Sequence, residues 1–262
     1  MAPRSTWTGS LGFGMVSVTV KLYGAVSEQK VTFNQLHAAC NARVRQDKHC
    51  TSCDALLETD DLVKGYDAGG GNIIVVESDE LAALSVKSLK SIDIVEFVPA
   101  EDIDPRQFDK SYHLAPDPAG AKAFALLLRG MEKGGRLAVA KLTMREREHL
   151  CVLRPLGDVL LLQTMFWSDE LRDPAEVTVD LPDMTDAETD MAETLIEAMH
   201  ADADMSKFGD DYREAVMGLI QSKVAGTILT PVAVPDPVAT PDVLAGLMAS
   251  VEAAKQAKSA AV

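Results

Sequence analysis

The stretch His37–Cys53, HAACNARVRQDKHCTSC, constrains this chain more than any other. It holds three of the four cysteines, two of the five histidines and the cations Arg43, Arg45 and Lys48. His37-x2-Cys40 and Cys50-x2-Cys53 are two close pairs of thiol and imidazole donors, the usual presentation of a four-coordinate structural zinc site. His49 is a substitute ligand. The alternative is a reduced hairpin whose thiols pack or stay free. Either way the composition predicts a projecting β-hairpin arm with cations along it, suited to meeting a polyanion.

The charge balance at first opposes that reading. The net charge over 262 residues is −15, whereas a nucleic-acid binder is expected to be basic. The charge is unevenly placed, however. From Phe166 to Val262 there are 6 Lys and Arg against 19 Asp and Glu, which leaves the first 165 residues with 19 and 21. Within Ala121–Arg154, eight basic residues face three acids, and Met1–Leu56 has six against three. Two mildly basic blocks thus precede an acidic C-terminal third, and local potential decides whether a phosphate backbone docks. The same blocks also suit solvated faces, so charge leaves both readings open.

The 47% hydrophobic content is ample for a core in one large domain or two smaller ones. Four cysteines in a chain of this length argue for a reduced, intracellular protein rather than a disulfide framework. Gly9, Gly12 and Gly14 interrupt the N-terminal apolar stretch, which does not read as a signal peptide. No run approaches the roughly 18 apolar residues of a membrane span.

Val16, Val18, Val20 and Leu22 alternate with Ser17, Thr19 and Lys21, which predicts a strand with one wet face within Thr6–Gly24. The glycines before it lead into a strand rather than a helix, the wrong context for a phosphate-cradling loop. Further strands are predicted at Asn72–Val76, Leu89–Val98, Arg136–Thr143, His149–Arg154 and Val159–Met165. Pro99–Tyr112 reads as a turn-rich connector. Helices are predicted at Glu77–Leu84 with Ser78 as cap, and at Ala119–Met131, ended by Gly134-Gly135. Three strands after one helix, with earlier strands available, suggest a closed or nearly closed barrel. Residues 169–183 form a Pro- and Asp-rich linker. Thr185–Asp202, Asp210–Ala225 and Asp242–Ser259 read as helices, with an extended Pro231–Pro241 before the last.

Several segments together resemble the bacterial Ku family. They are WTGSLGFGMVSV-x-VKLY from Trp7, DLVKGY around Lys64, IVEFVPA-x-x-IDP around Phe97, FDKSY-x-L at Phe108–Leu114, REHL-x-x-LRP at Arg147–Pro155 and LRDP at Leu171–Pro174. They run in family order over roughly residues 6–230. The resemblance implies a mixed α+β fold. A Ku-type β-barrel core would occupy 1–168, with an inserted bridge arm at about 35–75 and the linker at 169–183. A helical arm would occupy 184–229, with a minimal C-terminal segment at 230–262. It also implies a ring-shaped homodimer that threads onto double-stranded DNA ends without reading sequence. Such a ring would recruit a multi-domain ATP-dependent DNA ligase for non-homologous end joining in the cytoplasm of a bacterium, or of one carrying a phage. The protein would not be an enzyme and would require no cofactor beyond an optional structural zinc.

On that resemblance Arg43, Arg45, Lys48 and Lys64 of the arm become phosphate contacts, as do Lys21, Arg136, Lys141, Arg145 and Arg147 of the barrel. Lys and Arg contacts to phosphate position a protein without sequence specificity. The acidic third would sit outside the hole, where repulsion is screened beyond about 8 Å. Many family members carry a Lys-rich tail; here only Lys255 and Lys258, both inside the last predicted helix, stand near the end, as expected of a minimal form. Not every member completes the zinc set, so zinc is not a condition of the fold. Cys151 lies mid-strand and reads as core, and His113 and His149 read as structural. No nucleophile–base pair and no carboxylate cluster for metal-dependent cleavage stands out. The competing function is a protein-interaction module built on the acidic helices, with no DNA affinity.

Overall fold

The computed structural model describes residues 4–83, 90–145, 147–200, 202–226 and 243–260. The chain divides into two compact units: Met1–Gln29 with Asn34–Asp173, and Lys30–Phe33 with Pro174–Val262.

The first unit is built on a closed barrel. Its strands are β1 (Trp7–Phe13) and β2 (Val16–Gly24), then, beyond the arm, β7 (Ser91–Val98), β8 (Phe108–Pro116), β9 (Leu137–Met144), β10 (Arg147–Leu156) and β11 (Val159–Met165). The order around the barrel is β1-β2-β8-β11-β10-β9-β7. Neighbours are antiparallel except at the closure, where β1 runs parallel to β7 with Ser10 beside Ser91, Leu11 beside Ile92 and Gly12 beside Asp93. Closure removes the open sheet edges that would otherwise invite aggregation.

Alternation sets what lies inside. Of the face predicted from β2, Val18, Val20 and Leu22 point inward and meet Leu114, Ala140, Leu142, Cys151, Leu153, Leu160 and Leu162, whereas Val16, beside the turn, is exposed. The opposite face of β9–β11 is covered where Leu137, Val152 and Met165 pack with Ile103 of the β7–β8 connection. The stretch read as one strand from Thr6 is instead a hairpin. It turns at Gly14, whose φ of +59° is a left-handed value that favours glycine. Pro99–Tyr112 is also corrected: only its first part is irregular, and β8 begins at Phe108.

Helix α2 (Ala121–Gly134) lays Phe124, Leu127, Leu128 and Met131 on the core. It stops at Gly135, whose φ of +61° lets its N–H reach the Glu132 and Met131 carbonyls. The helix follows the end of β8, so it lies toward the barrel end that holds the β1–β2 turn. At the other end Trp7 donates from its indole Nε1 to the Thr143 carbonyl at 3.2 Å.

The arm leaves that Trp7 end after Gly24 and returns to it at Ser91. It contains β3 (Lys48–His49) paired with β4 (Leu56–Leu57), β5 (Lys64–Asp67) paired with β6 (Ile73–Val76), and the short helix α1 (Ser78–Ala83). Leu84, Leu89, Ala201 and Asp242 of the predicted elements, and all of Pro231–Pro241, lie outside the described residues.

The second unit is helical. Thr185 caps α3 (Asp186–Met199) through a reciprocal exchange with Glu188: the Glu188 N–H donates to the Thr185 hydroxyl, and the Thr185 N–H donates to the Glu188 carboxylate at 2.8 Å. The N–H and the hydroxyl of Thr185, both donating to the Glu188 carboxylate, hold its pKa below the ordinary range. The side chain of Asp210 accepts from the Arg213 N–H at the start of α4 (Asp211–Val224). Helix α5 (Val243–Ala260) packs on α3.

Candidate nucleic-acid interface

Most of the arm is exposed and lacks a core of its own. Its local order comes from two turns of the same design. In the first, His37 N–H donates to the Ala42 carbonyl, Asn41 N–H donates to the His37 carbonyl, and Asn41 takes a φ of +55°. In the second, Cys50 N–H donates to the Ala55 carbonyl, Asp54 N–H donates to the Cys50 carbonyl, and Asp54 takes a φ of +57°. Asn and Asp are the non-glycine residues that best tolerate this conformation. Each turn therefore folds its x2-spaced pair together. His37 Nδ1 lies 3.1 Å from Cys40 Sγ. The backbone N–H groups of Cys53 and Ser52, with the Cys53 side chain, lower the pKa of the Cys50 thiol. His49 Nδ1 lies 3.3 Å from the Asp54 carbonyl oxygen, against the second turn. Among the described residues no three His, Cys, Asp or Glu side chains gather into one metal-sized group; the structure builds two pairs.

The candidate cations separate into three places. Arg43, Arg45, Lys48 and Lys64 lie exposed on the arm, with Arg43 bridged to Leu36, Lys48 across from Leu57 and Lys64 across from Val76. Arg45 reaches Asp47 at 3.3 Å, an exposed pair of small energetic weight. Arg145, at a φ of +53°, and Arg147 form the tight β9–β10 turn at the barrel end from which the arm springs. Glu146 between them is outside the described residues. On the barrel wall, Lys21 is held by Asp117 at 2.6 Å, whose hydrogen bond and charge raise the lysine's pKa. Lys141 is held by Glu148 at 3.0 Å and lies 5.8 Å from the centre of the Trp167 ring.

Arg136 stands apart from all of these. It lies at the opposite end of the barrel, beside an apolar concavity of about 300 Å³ bordered by Phe13, Phe97 and Leu126. Gly130 and Gly134 leave the helix surface bare there.

Cys151 is fully buried and its thiol donates to the Ala140 carbonyl at 3.3 Å. Burial pushes its pKa up to about 12, so it is a core residue and no nucleophile. Sequence reasoning missed that Lys21 and Lys141 carry intramolecular counter-ions. The Lys141–Glu148 pair was legible from the hairpin register, whereas Lys21–Asp117 needs the β2–β8 pairing. It also gave no role to Arg154, which was visible only as one of eight cations in a block.

Comparison with known proteins places these features together. A family model described as the Ku70/Ku80 beta-barrel domain matches residues 12–197. The chain is 39% identical over 228 residues to Non-homologous end joining protein Ku 2 of Saccharopolyspora erythraea, covering 86% of this chain and 74% of that protein. It is 37% identical over 256 residues to the protein Ku of Desulfitobacterium hafniense, with 97% and 90% covered. It is 34% identical over 266 residues to the protein Ku of Mycobacterium tuberculosis, with 98% and 97% covered. The matched span takes in the inserted arm and every barrel strand except most of β1, and the chain belongs to the Ku family.

Proposed function

We propose that this protein binds the ends of double-stranded DNA as a homodimeric ring, protects and bridges the break, and recruits a multi-domain ATP-dependent DNA ligase in non-homologous end joining. It acts as a scaffold in the bacterial cytoplasm, without catalysis of its own. The observation that carries this reading is the insertion. A long exposed arm leaves and re-enters the barrel at one end, and the cations at that end, Arg145 and Arg147, make no ion pair among the described residues. Arg43, Lys48 and Lys64 of the arm are likewise unpaired among the described residues. Unpaired exposed cations release phosphate counterions without first breaking an internal bridge. The relatives carry non-homologous end joining in their names, which supports the same reading. Among the described residues no helix is long and apolar enough to cross a membrane.

The test compares a linear duplex of about 40 base pairs with a covalently closed circle of the same sequence over a salt series. Binding to the linear form alone, with retention on it once both ends are blocked, is the expected result. Equal binding to both forms would replace the ring with an open groove. Absence of binding to either at low salt would leave the acidic helices as a protein-interaction module.

His37, Cys40, Cys50 and Cys53 would together hold one structural zinc. The donor chemistry suits that ion, and each pair is already folded by its own turn. Bound there, zinc would clip the arm and offer no open position for chemistry. Purified protein is expected to carry one zinc per chain. Chelation is expected to open the arm to proteases while the barrel stays resistant. Substoichiometric metal together with an unchanged digestion pattern would remove zinc from the account.

A further inference from the structure

The cations on the barrel wall differ in what balances them. Lys21 has Asp117 and Lys141 has Glu148. Arg154 on β10 has no such partner. It is part-buried, its Nε is shielded from solvent without a hydrogen-bond acceptor, and it makes no ion pair among the described residues.

The sheet register explains why. Arg154 pairs with Leu161 of β11, Leu161 with His113 of β8, and His113 with Tyr23 of β2. Paired residues project from the same face, so the row across the wall holds no carboxylate. Two residues away on its own strand, Val152 is buried and apolar and Leu156 is apolar and exposed. Drawing a cation partly out of water without a counter-charge is unfavourable. A chain with 40 acidic residues against 25 basic ones could easily have supplied one, yet none of the described residues sets a carboxylate in an ion pair with this guanidinium.

A guanidinium is a planar fork that matches two oxygens of one anion and stays charged at any working pH. The same row adds an imidazole and a phenol across three strand spacings or about 14 Å. We propose that Arg154 anchors a backbone phosphate of the bound duplex on the barrel wall, with Tyr23 and His113 on the same row. This rests on the DNA-binding reading above and adds to it a residue buried enough to be held in place before DNA arrives.

The experiment uses the full chain and measures affinity for the linear duplex against salt concentration for wild type, Arg154→Gln, Arg154→Lys and Lys207→Gln. The last removes one cation from the helical unit. Arg154→Gln is expected to weaken binding about tenfold near 0.15 M salt and to flatten the log–log salt slope by about 0.9 per arginine engaged. Arg154→Lys is expected to keep the slope and lose several-fold in affinity, because the fork is gone. Lys207→Gln is expected to match wild type.

A wild-type slope in a folded Arg154→Gln variant overturns the proposal. If that variant also sediments as a monomer where wild type is a dimer, the missing carboxylate belongs to a second copy of the chain. Should Arg154→Gln fail to fold, wild-type affinity in Arg154→Lys overturns the proposal in its place. Failure of wild type itself to bind linear duplex strikes the DNA-binding reading and is separable from all of these.

Discussion

Reversing Arg43, Arg45 and Lys48 to Glu together is expected to leave the protein folded and to abolish its retention on linear DNA at physiological salt. The three sites are exposed on an arm without a core, and surface substitutions of this kind change stability by about 0.5 kcal/mol or less. Their effect on DNA is of another order. Each phosphate contact contributes about 0.9 to the salt slope, so losing three per chain, six in the proposed dimer, flattens that slope by about 5 and costs on the order of a thousandfold in affinity at about 0.2 M salt, and more at lower salt. The reversed charges then repel the same phosphates. A gel-shift titration at two salt concentrations, with circular dichroism as the folding control, measures both halves. Wild-type retention by the triple variant would take the arm out of the DNA interface and leave the barrel wall and the β9–β10 turn as the contact.

The second large effect is expected in the barrel. Leu22 is fully buried among side chains from several strands. Leu22→Ala removes most of that side chain from a closed structure that cannot collapse around the gap. A cost of about 3 kcal/mol, within the roughly 2–5 kcal/mol usual for such sites, is expected. In a unit of this size that lowers the melting temperature by roughly 6–12 °C. Leu156→Ala, at a position 49% exposed, serves as the contrast and is expected to shift it little. Equal melting of the two variants would mean that the interior of the barrel is not where the stability resides. Partial proteolysis of Leu22→Ala below its transition should cut the arm at the wild-type sites, because the arm draws nothing from that core.

The barrel was largely legible because its strands alternate cleanly: Val18, Val20 and Leu22 could only be a half-buried strand once Thr19 and Lys21 lay between them. Strand β8 was hidden for the opposite reason. FDKSYHLAP carries the charged pair Asp109-Lys110 right after its first residue, and Leu114 is its one fully buried side chain. Its extended form is imposed by β2 on one side and β11 on the other, a tertiary decision that local propensity does not contain. The parallel closure of β1 on β7 is equally invisible in a linear pattern.

At the candidate site, residue types were readable and their electrostatic state was not. Lys21 and Arg154 look alike as letters. One is neutralised by a residue 96 positions away, and the other faces a row of neutral side chains, a difference created by register alone.

The placement of the arm between β2 and β7 has a consequence for how such chains can vary. Only β1 separates those two strands in the barrel, so the points where the insert leaves and re-enters are held two strand spacings apart, about 10 Å across the sheet, and five residues apart along it, whatever lies between them. Loop-closure entropy grows slowly, by about 0.6 kcal/mol per doubling of length. The barrel is therefore nearly indifferent to the size of its own insert. Lengthening, shortening or re-equipping the arm, with a metal clip or without one, carries almost no penalty in the fold that supports it. The span the arm must bridge, rather than the stability of the protein, is left to set its length.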